Sequence, residues 1–344
     1  MRLRPFSWLP RRGEPPDDLY GRAASDLTEQ GWRPLRECLF ATPDLLPTLL
    51  DQRERRWVSA FGEGPVALWA NRPAGGGRFA GLRVLAVSDE ARVEPLWDGA
   101  QAAGRVAQSG GERWLSLQGL VGRDPAGRMG SLEEQAQRMF ERAERLLAAQ
   151  GSHPREVVGL WPQGAPLALA LPALTAARDG FYTRSGIRSG RRLQRPPAGA
   201  FSGGEHPRAA AWLDLLAAQG PLPRAVRPAG APSTSPACEG FSAAVVAGPL
   251  ALVSAAAAEV EEGGEGLGAS LLAAWRQAHD QLEAAGGDAA RAGWTLCLRD
   301  PAAASAWREL VDAGSCSDQA TVAVLAPPAG DDVAAEFWGL AARG

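Results

Sequence analysis

The feature that most constrains this chain is an outline that occurs twice. An apolar run, Trp114-Leu115-Ser116-Leu117-Gln118-Gly119-Leu120-Val121, leads through a Gly/Pro-rich turn into a helical pattern over 131–150. Gly151 stops that helix, and Val157-Val158-Gly159-Leu160-Trp161 reads as a returning strand. A shift of 135 residues brings the outline back, with a strand at 249–254, a helix at 270–285, a stop at Gly286 and a return at 294–298. Phe140 falls on Trp275, Ala143 on Ala278 and Leu147 on Leu282. One offset that aligns strand, helix and stop marks duplicated units. With 344 residues the chain is long enough for two of them, each with its own core.

Around the repeat the punctuation divides the chain. Residues 1–64 read as an N-terminal extension rich in Arg, Pro and Gly, with Trp8 and Trp32 as isolated anchors and a short helix at 45–56. Residues 65–225 form the first unit, opened by strands at 65–69 and 82–87 and carrying an insertion over 162–208. Within that insertion 167–181 reads as a helix that Pro172 must kink. A helix at 209–219 closes the unit, and 220–240, dense in Pro, Ala and Ser, reads as a linker. The second unit, 226–344, adds a helix started by Asp300 as N-cap and Pro301, then strands at 321–325 and 333–338. Strand, long amphipathic helix, strand, second helix and last strand make an α+β layer, with helices on one face of a mixed sheet.

Several function classes fall away on composition and spacing. A net charge of −3 gives no general pull toward nucleic acid or an anionic membrane. No run approaches the ~20 apolar residues of a membrane span, and no apolar signal segment follows a charged start, so the expected location is the cytoplasm. Cys38, Cys238, Cys297 and Cys316 lack metal or redox spacing and the three histidines are equally dispersed, so neither a metal nor a cofactor is expected. The chain has no lysine, so its 36 basic residues are all arginine, which fits a GC-rich coding sequence. Six of them lie between Arg178 and Arg195, interleaved with glycines. That pattern fits an anion-binding loop or a solvated basic one. With only Phe181 and Tyr182 beside it, it offers too little stacking surface for single-stranded RNA.

The order strand, long helix, glycine stop, strand, Asp-Pro helix, apolar strand and terminal glutamate strand resembles the YjgF/RidA fold. Two such units in one chain resemble the chorismatase family, whose members remove pyruvate from chorismate. The resemblance covers roughly residues 65–344. Family members carry a catalytic glutamate on the last strand in an outline Cys/Ala/Gly-x-x-Asp-Leu-Leu-x-Glu. Here Ala329-Gly330-Asp331-Asp332-Val333-Ala334-Ala335-Glu336 is similar to it, which implies Glu336 as the catalytic residue. A small residue in the first position goes with the hydrolytic members, and Ala329 resembles those. The family's Pro-Ala-Ser-Thr-x-x-Gly element is echoed by Pro197-Ala198-Gly199-Ala200-Phe201-Ser202-Gly203.

Other motifs depart. The family's tyrosine- and arginine-bearing linker is replaced by Ala231-Pro232-Ser233-Thr234-Ser235-Pro236 and Phe241-Ser242. Its Gly-Thr-Ala-Ser strand end has become Ser254-Ala255-Ala256-Ala257. The chemistry asks for a protonated carboxyl in an apolar pocket, a water, and cations for two carboxylates. Glu336 is the terminal-strand acid that suits the first task; Arg178 or Arg184 would supply a cation from the cleft between units; Ala329 and Phe241 complete the expected substrate contacts. Two functions stay open. One is an enzyme of aromatic or polyketide secondary metabolism acting on chorismate or a related cyclic carboxylate through an altered pocket. The other is an inactive relative serving a biosynthetic partner protein as scaffold. Imine hydrolysis of the RidA kind is a third reading, for which Arg299 would be the counterpart arginine. A monomer and a homo-oligomer are both compatible.

Overall fold

The structure, a computed structural model, describes residues 1–9, 16–189, 192–193, 196–204, 206, 209–220, 223–226, 239–259, 266–316, 321–326 and 333–343. The N-terminal stretch is a folded unit. It runs β1 (Leu3–Trp8), α1 (Pro16–Glu29), β2 (Trp32–Ala41), α2 (Leu46–Arg53), a π-helical turn Glu54–Val58, α3 (Ser59–Phe61), β3 (Ala67–Ala70), β4 (Arg72–Pro73) and β5 (Phe79–Ser88). Four of these strands form a sheet in the order β1-β5-β2-β3, with β5 antiparallel to both neighbours and β2 parallel to β3. A helical stripe of Leu19, Tyr20, Ala23 and Leu27 is buried on it.

The second unit comprises β6 (Arg92–Asp98), β7 (Gln101–Ser109), β8 (Glu112–Val121), α4 (Leu132–Ala149), β9 (Val157–Gly164) and α5 (Leu167–Arg184). It continues through a small hairpin, β10 (Arg188–Ser189) and β11 (Arg192–Leu193), to β12 (Ala198–Gly199), β13 (Ser202–Gly203) and β14 (Ala211–Gln219). The third has β15 (Arg224–Val226), β16 (Ala244–Ala247), β17 (Leu250–Glu259), α6 (Leu267–Ala284), β18 (Gly293–Leu298), α7 (Pro301–Asp312), β19 (Thr321–Leu325) and β20 (Val333–Ala342). Their sheets have equivalent orders, β6-β7-β8-β14-β9-β12 and β15-β16-β17-β20-β18-β19, and β4 of the N-terminal unit is added at the edge beyond β19.

The predicted duplication is present. In both repeats the closing strand lies between the strand before the long helix and the strand after it. Phe140 and Trp275, Ala143 and Ala278, and Leu147 and Leu282 are all buried, and Gly151 and Gly286 end their helices at φ 64° and 77°. Ser131 caps α4 in a reciprocal box with Glu134, and the Asp300 side chain accepts from the Ala303 N–H to start α7. The N-terminal unit repeats the same connectivity once more, without the leading hairpin: strand, helix, strand, helical segment, parallel strand, central closing strand.

Three expectations are therefore corrected. The strands expected to open the first repeat, at 65–69 and 82–87, complete the N-terminal sheet as β3 and β5, and the repeat itself starts at Arg92. The supposed insertion contains α5, the counterpart of α7. Residues 211–219 are not helical but form β14, a strand buried between β8 and β9. Their Ala/Leu content favours a helix in isolation, and a site with sheet partners on both sides overrides that weak preference.

Helices cover the outer face of each sheet, in three separate apolar clusters around α1/α2, α4/α5 and α6/α7. The inner faces meet in one shared core that includes Phe40 and Trp69, Trp161 and Leu216, and Trp338 and Leu340. Trp69 packs on Trp338 of the third unit with ring centroids 5.4 Å apart. At roughly 1.5–3 kcal/mol per fully buried large side chain, this common core is a principal source of stability for all three sheets.

Candidate functional site

Strand alternation sends odd and even residues of a closing strand to opposite faces. Along β20, Phe337 and Ala341 meet the helices while Trp338 and Leu340 enter the shared core, so Glu336 faces inward. Along β14, Leu213 and Leu215 meet the helices and Asp214 faces inward. Each acid is the fourth residue of its strand, and each lies opposite the fifth residue of the neighbouring strand: Asp214 opposite Trp161, Glu336 opposite Cys297. The repeat thus brings two carboxyl groups to equivalent positions, and their surroundings differ.

Asp214 is held by the Gly119 N–H at 2.7 Å, by Gln163 Nε2 at 2.9 Å and by Arg36 Nη2 at 3.4 Å. Arg36 comes from the N-terminal unit and lies over the Trp161 ring, 4.1 Å from its centroid. Burial pushes the Asp214 carboxyl above its ordinary pKa, while Arg36 and the two hydrogen-bond donors act in the other direction. This carboxylate is a fixed internal counter-ion and is not aimed at a ligand.

Glu336 is 1% exposed, flanked across the sheet by Ala257 and Cys297. Burial drives the Cys297 thiol far up from its usual range, and the nearby Glu336 charge adds to that. Arg299 leaves β18 two residues beyond Cys297, its N–H bonded to the Ala334 carbonyl and its Nε 3.2 Å from Asp300.

The diverged motifs converge beside this strand pair. Gly199 of β12 donates its N–H to Ser254 Oγ of β17 at 2.8 Å, and Ser254 Oγ donates to the Ser242 carbonyl at 2.5 Å. Ser242 in turn donates its N–H to the Pro197 carbonyl and its hydroxyl to that of Pro196. So the 197–203 element, the Phe241-Ser242 pair and the start of the 254–257 stretch meet at one junction between the second and third units. Ser254 precedes by three residues the Ala257 that faces Glu336. Gly199 is required there, because a Cβ would lie 1.8 Å from the Leu160 carbonyl oxygen.

The other expected site residues fall as follows. Arg178, on α5, is 1% exposed; its Nε and Nη2 donate to Asp179 at 3.1 and 2.9 Å, and its Nη1 donates to the Glu239 carbonyl. The rings of Tyr182, Phe201 and Phe241 surround it, with centroids 5.6, 5.0 and 5.2 Å away. Phe241 therefore packs at the junction as the lid of a guanidinium cage. Arg184 does not enter the cleft between units; it pairs with Glu144 across the outer helices, its side chain 46% exposed. Ala329 lies outside the described residues. Asp214 and Ser254 were missed. An acid within the apolar run of 211–219 was the available signal for the first, hidden by the helical reading of that run.

Among the described residues no group of three or more His, Cys, Asp or Glu is placed to hold a metal ion. No described helix is long and apolar enough to cross a membrane.

No family model matches the sequence, and no curated protein matches it. Solved structures do. A chorismatase aligns over 99% of this chain and 99% of its own, with a TM-score of 0.63 and 14% identity. Yeast Mmf1 aligns over 38% of this chain, with 13% identity and a TM-score of 0.30, and the YjgF gene product of E. coli over 37%, with 15% identity and the same score. Across nearly its whole length, and in strongly diverged sequence, this chain has the chorismatase fold.

Proposed function

We propose that the protein is a chorismatase-like enzyme acting on chorismate or a related cyclic enolpyruvyl carboxylate through an altered pocket. The observation that carries this reading is Glu336, a buried acid on the inner face of a closing strand, beside the junction where three pocket motifs of that family have their counterparts. The full-length likeness to a chorismatase supports it at the level of fold.

In the proposed reaction Glu336 delivers a proton to the methylene carbon of the enolpyruvyl ether. Water adds to the resulting oxocarbenium carbon, and the hemiketal collapses to pyruvate and the ring alcohol. A buried carboxyl flanked by Ala257 and Cys297 suits proton delivery. Binding of the substrate is where this chain departs. Arg178 is engaged by Asp179 and Glu239, and the polar linker motif is replaced. Losing two or three charge-assisted contacts at roughly 1.5–3 kcal/mol each lowers transition-state binding on the order of 10³-fold or more.

The same engagement of Arg178 favours a second reading, an inactive homologue that serves a biosynthetic partner as scaffold. Incubation of the purified protein with chorismate, following pyruvate, separates the two. Slow release that disappears in Glu336→Gln is expected. No release, with a thermal shift from another cyclic carboxylate, would move the substrate; silence in both would leave the scaffold.

A further inference from the structure

The three inner faces leave a small, partly open void of about 20 Å³ in the shared core. Its lining is half aromatic and aliphatic, with Phe40, Trp161 and Trp338 among its walls. The polar part comes from Arg36, Cys38, Arg83 and Thr295. All four present hydrogen-bond donors, and among the described residues no carboxylate lines the void.

Arg36 is almost completely buried, and its donors are unevenly used. Nε donates to Cys38 Sγ at 3.3 Å and Nη2 to Asp214 at 3.4 Å, while Nη1 has no hydrogen-bond partner among the described residues. Arg83 donates to the Thr295 hydroxyl oxygen, which leaves the threonine proton available to a further acceptor. Burial lowers Arg83 to a pKa of about 10, with Arg36 opposing its charge, so at neutral pH its guanidinium is cationic. A buried donor without an acceptor costs about 1–3 kcal/mol, so an enclosed space beside one is normally filled by something that accepts.

We propose that this void is a binding site for one small monovalent anion, of halide size. A void of this volume has room for a single water or a single halide. Two cationic side chains and a threonine hydroxyl, with aromatic walls, favour the anion over the neutral water. The anion would sit where all three units meet and would screen the two arginines from each other.

Crystals soaked in bromide provide the test. The expected result is an anomalous peak within hydrogen-bonding range of Arg36 Nη1. In solution the unfolding equilibrium constant should fall in proportion to chloride concentration above its Kd, at ionic strength matched with a bulky anion too large for the void. This dependence should vanish in Arg36→Met/Asp214→Asn, which removes the cation together with its counter-ion and so leaves the net charge of the core unchanged. Thr295→Val should weaken it several-fold with the fold retained. A water peak without anomalous signal would overturn the proposal, as would a chloride dependence unchanged in the double variant.

Discussion

Asp214→Asn would leave the Arg36 guanidinium inside the core without its counter-ion. Breaking a buried pair from one side costs about 3–5 kcal/mol, and urea unfolding should record that loss. Arg36→Met/Asp214→Asn should recover a large part of it, because the two sites are coupled. A loss below about 1 kcal/mol in the single variant would show that the pair is solvated. His279 offers a titration with a definite sign. It stacks on Trp294 at 4.8 Å and 6° and touches Trp275 at 4.2 Å, and burial lowers its pKa. The unfolded chain therefore binds this proton at a higher pH than the folded protein does. Stability is intact above about pH 6.5, the unfolded value, and is lost as pH falls from there through the folded value. The slope is at most about 1.4 kcal/mol per pH unit for one proton. His279→Gln should flatten the fall in unfolding free energy between pH 7 and pH 5; an unchanged profile would mean the ring is solvated. In the sequence a motif singles out Glu336. Asp214, the equivalent acid, has no motif, and its meaning comes from partners far away in the chain.

At the scale of elements, local chemistry was readable and sheet membership was not. Ser131, Gly151, Asp300 and Pro301 marked helix ends because capping depends on a few neighbouring residues. Asp300→Ala should remove about 1 kcal/mol, measurable as a lower denaturation midpoint with an unchanged slope. Residues 211–219 could not be read in the same way, since an apolar run of that length suits a buried helix or a strand with two neighbours. The 239–242 segment makes a similar point. Sequence composition marks it as the end of a linker, whereas Arg178 and Ser254 fasten it to α5 and β17. Gly199→Ala tests that junction. Its Cβ would collide with the β9 backbone, so β12 must move, at about 1–3 kcal/mol. Carried into the pyruvate assay, the variant should also lower any turnover, because β12 adjoins the Glu336 strand pair through Ser254. Activity at wild-type level together with the stability loss would separate the junction from the chemistry.

For the whole molecule, the expectation of an N-terminal extension over 1–64 gives way to a unit that closes the core. Glu37 in β2 takes both Arg53 donors at 2.7 Å, lies 4.0 Å from Arg105 of β7, and offers its carbonyl to Gln118 of β8 at 2.6 Å. Truncation to 65–344 would strip Arg105 of that carboxylate and expose the inner faces of two sheets. We expect an insoluble or molten product, seen as loss of near-ultraviolet circular dichroism. A soluble, cooperatively unfolding fragment would show the repeats to be self-sufficient. The full chain should melt in one transition, since the shared core belongs to no single unit.

The three units differ at each of the places where they touch. Arg36 meets Asp214 between the first and second, Gly199 meets Ser254 between the second and third, and between the third and first Arg83 meets Thr295 while β4 joins β19. In a ring of three separate identical chains, one codon changes every contact at once, so an improvement at one seam must be tolerated at the other two. Linking the copies end to end removes that constraint. Each seam here can be altered by a mutation that appears only once, so one can become a rigid charged lock while the other two follow separate courses.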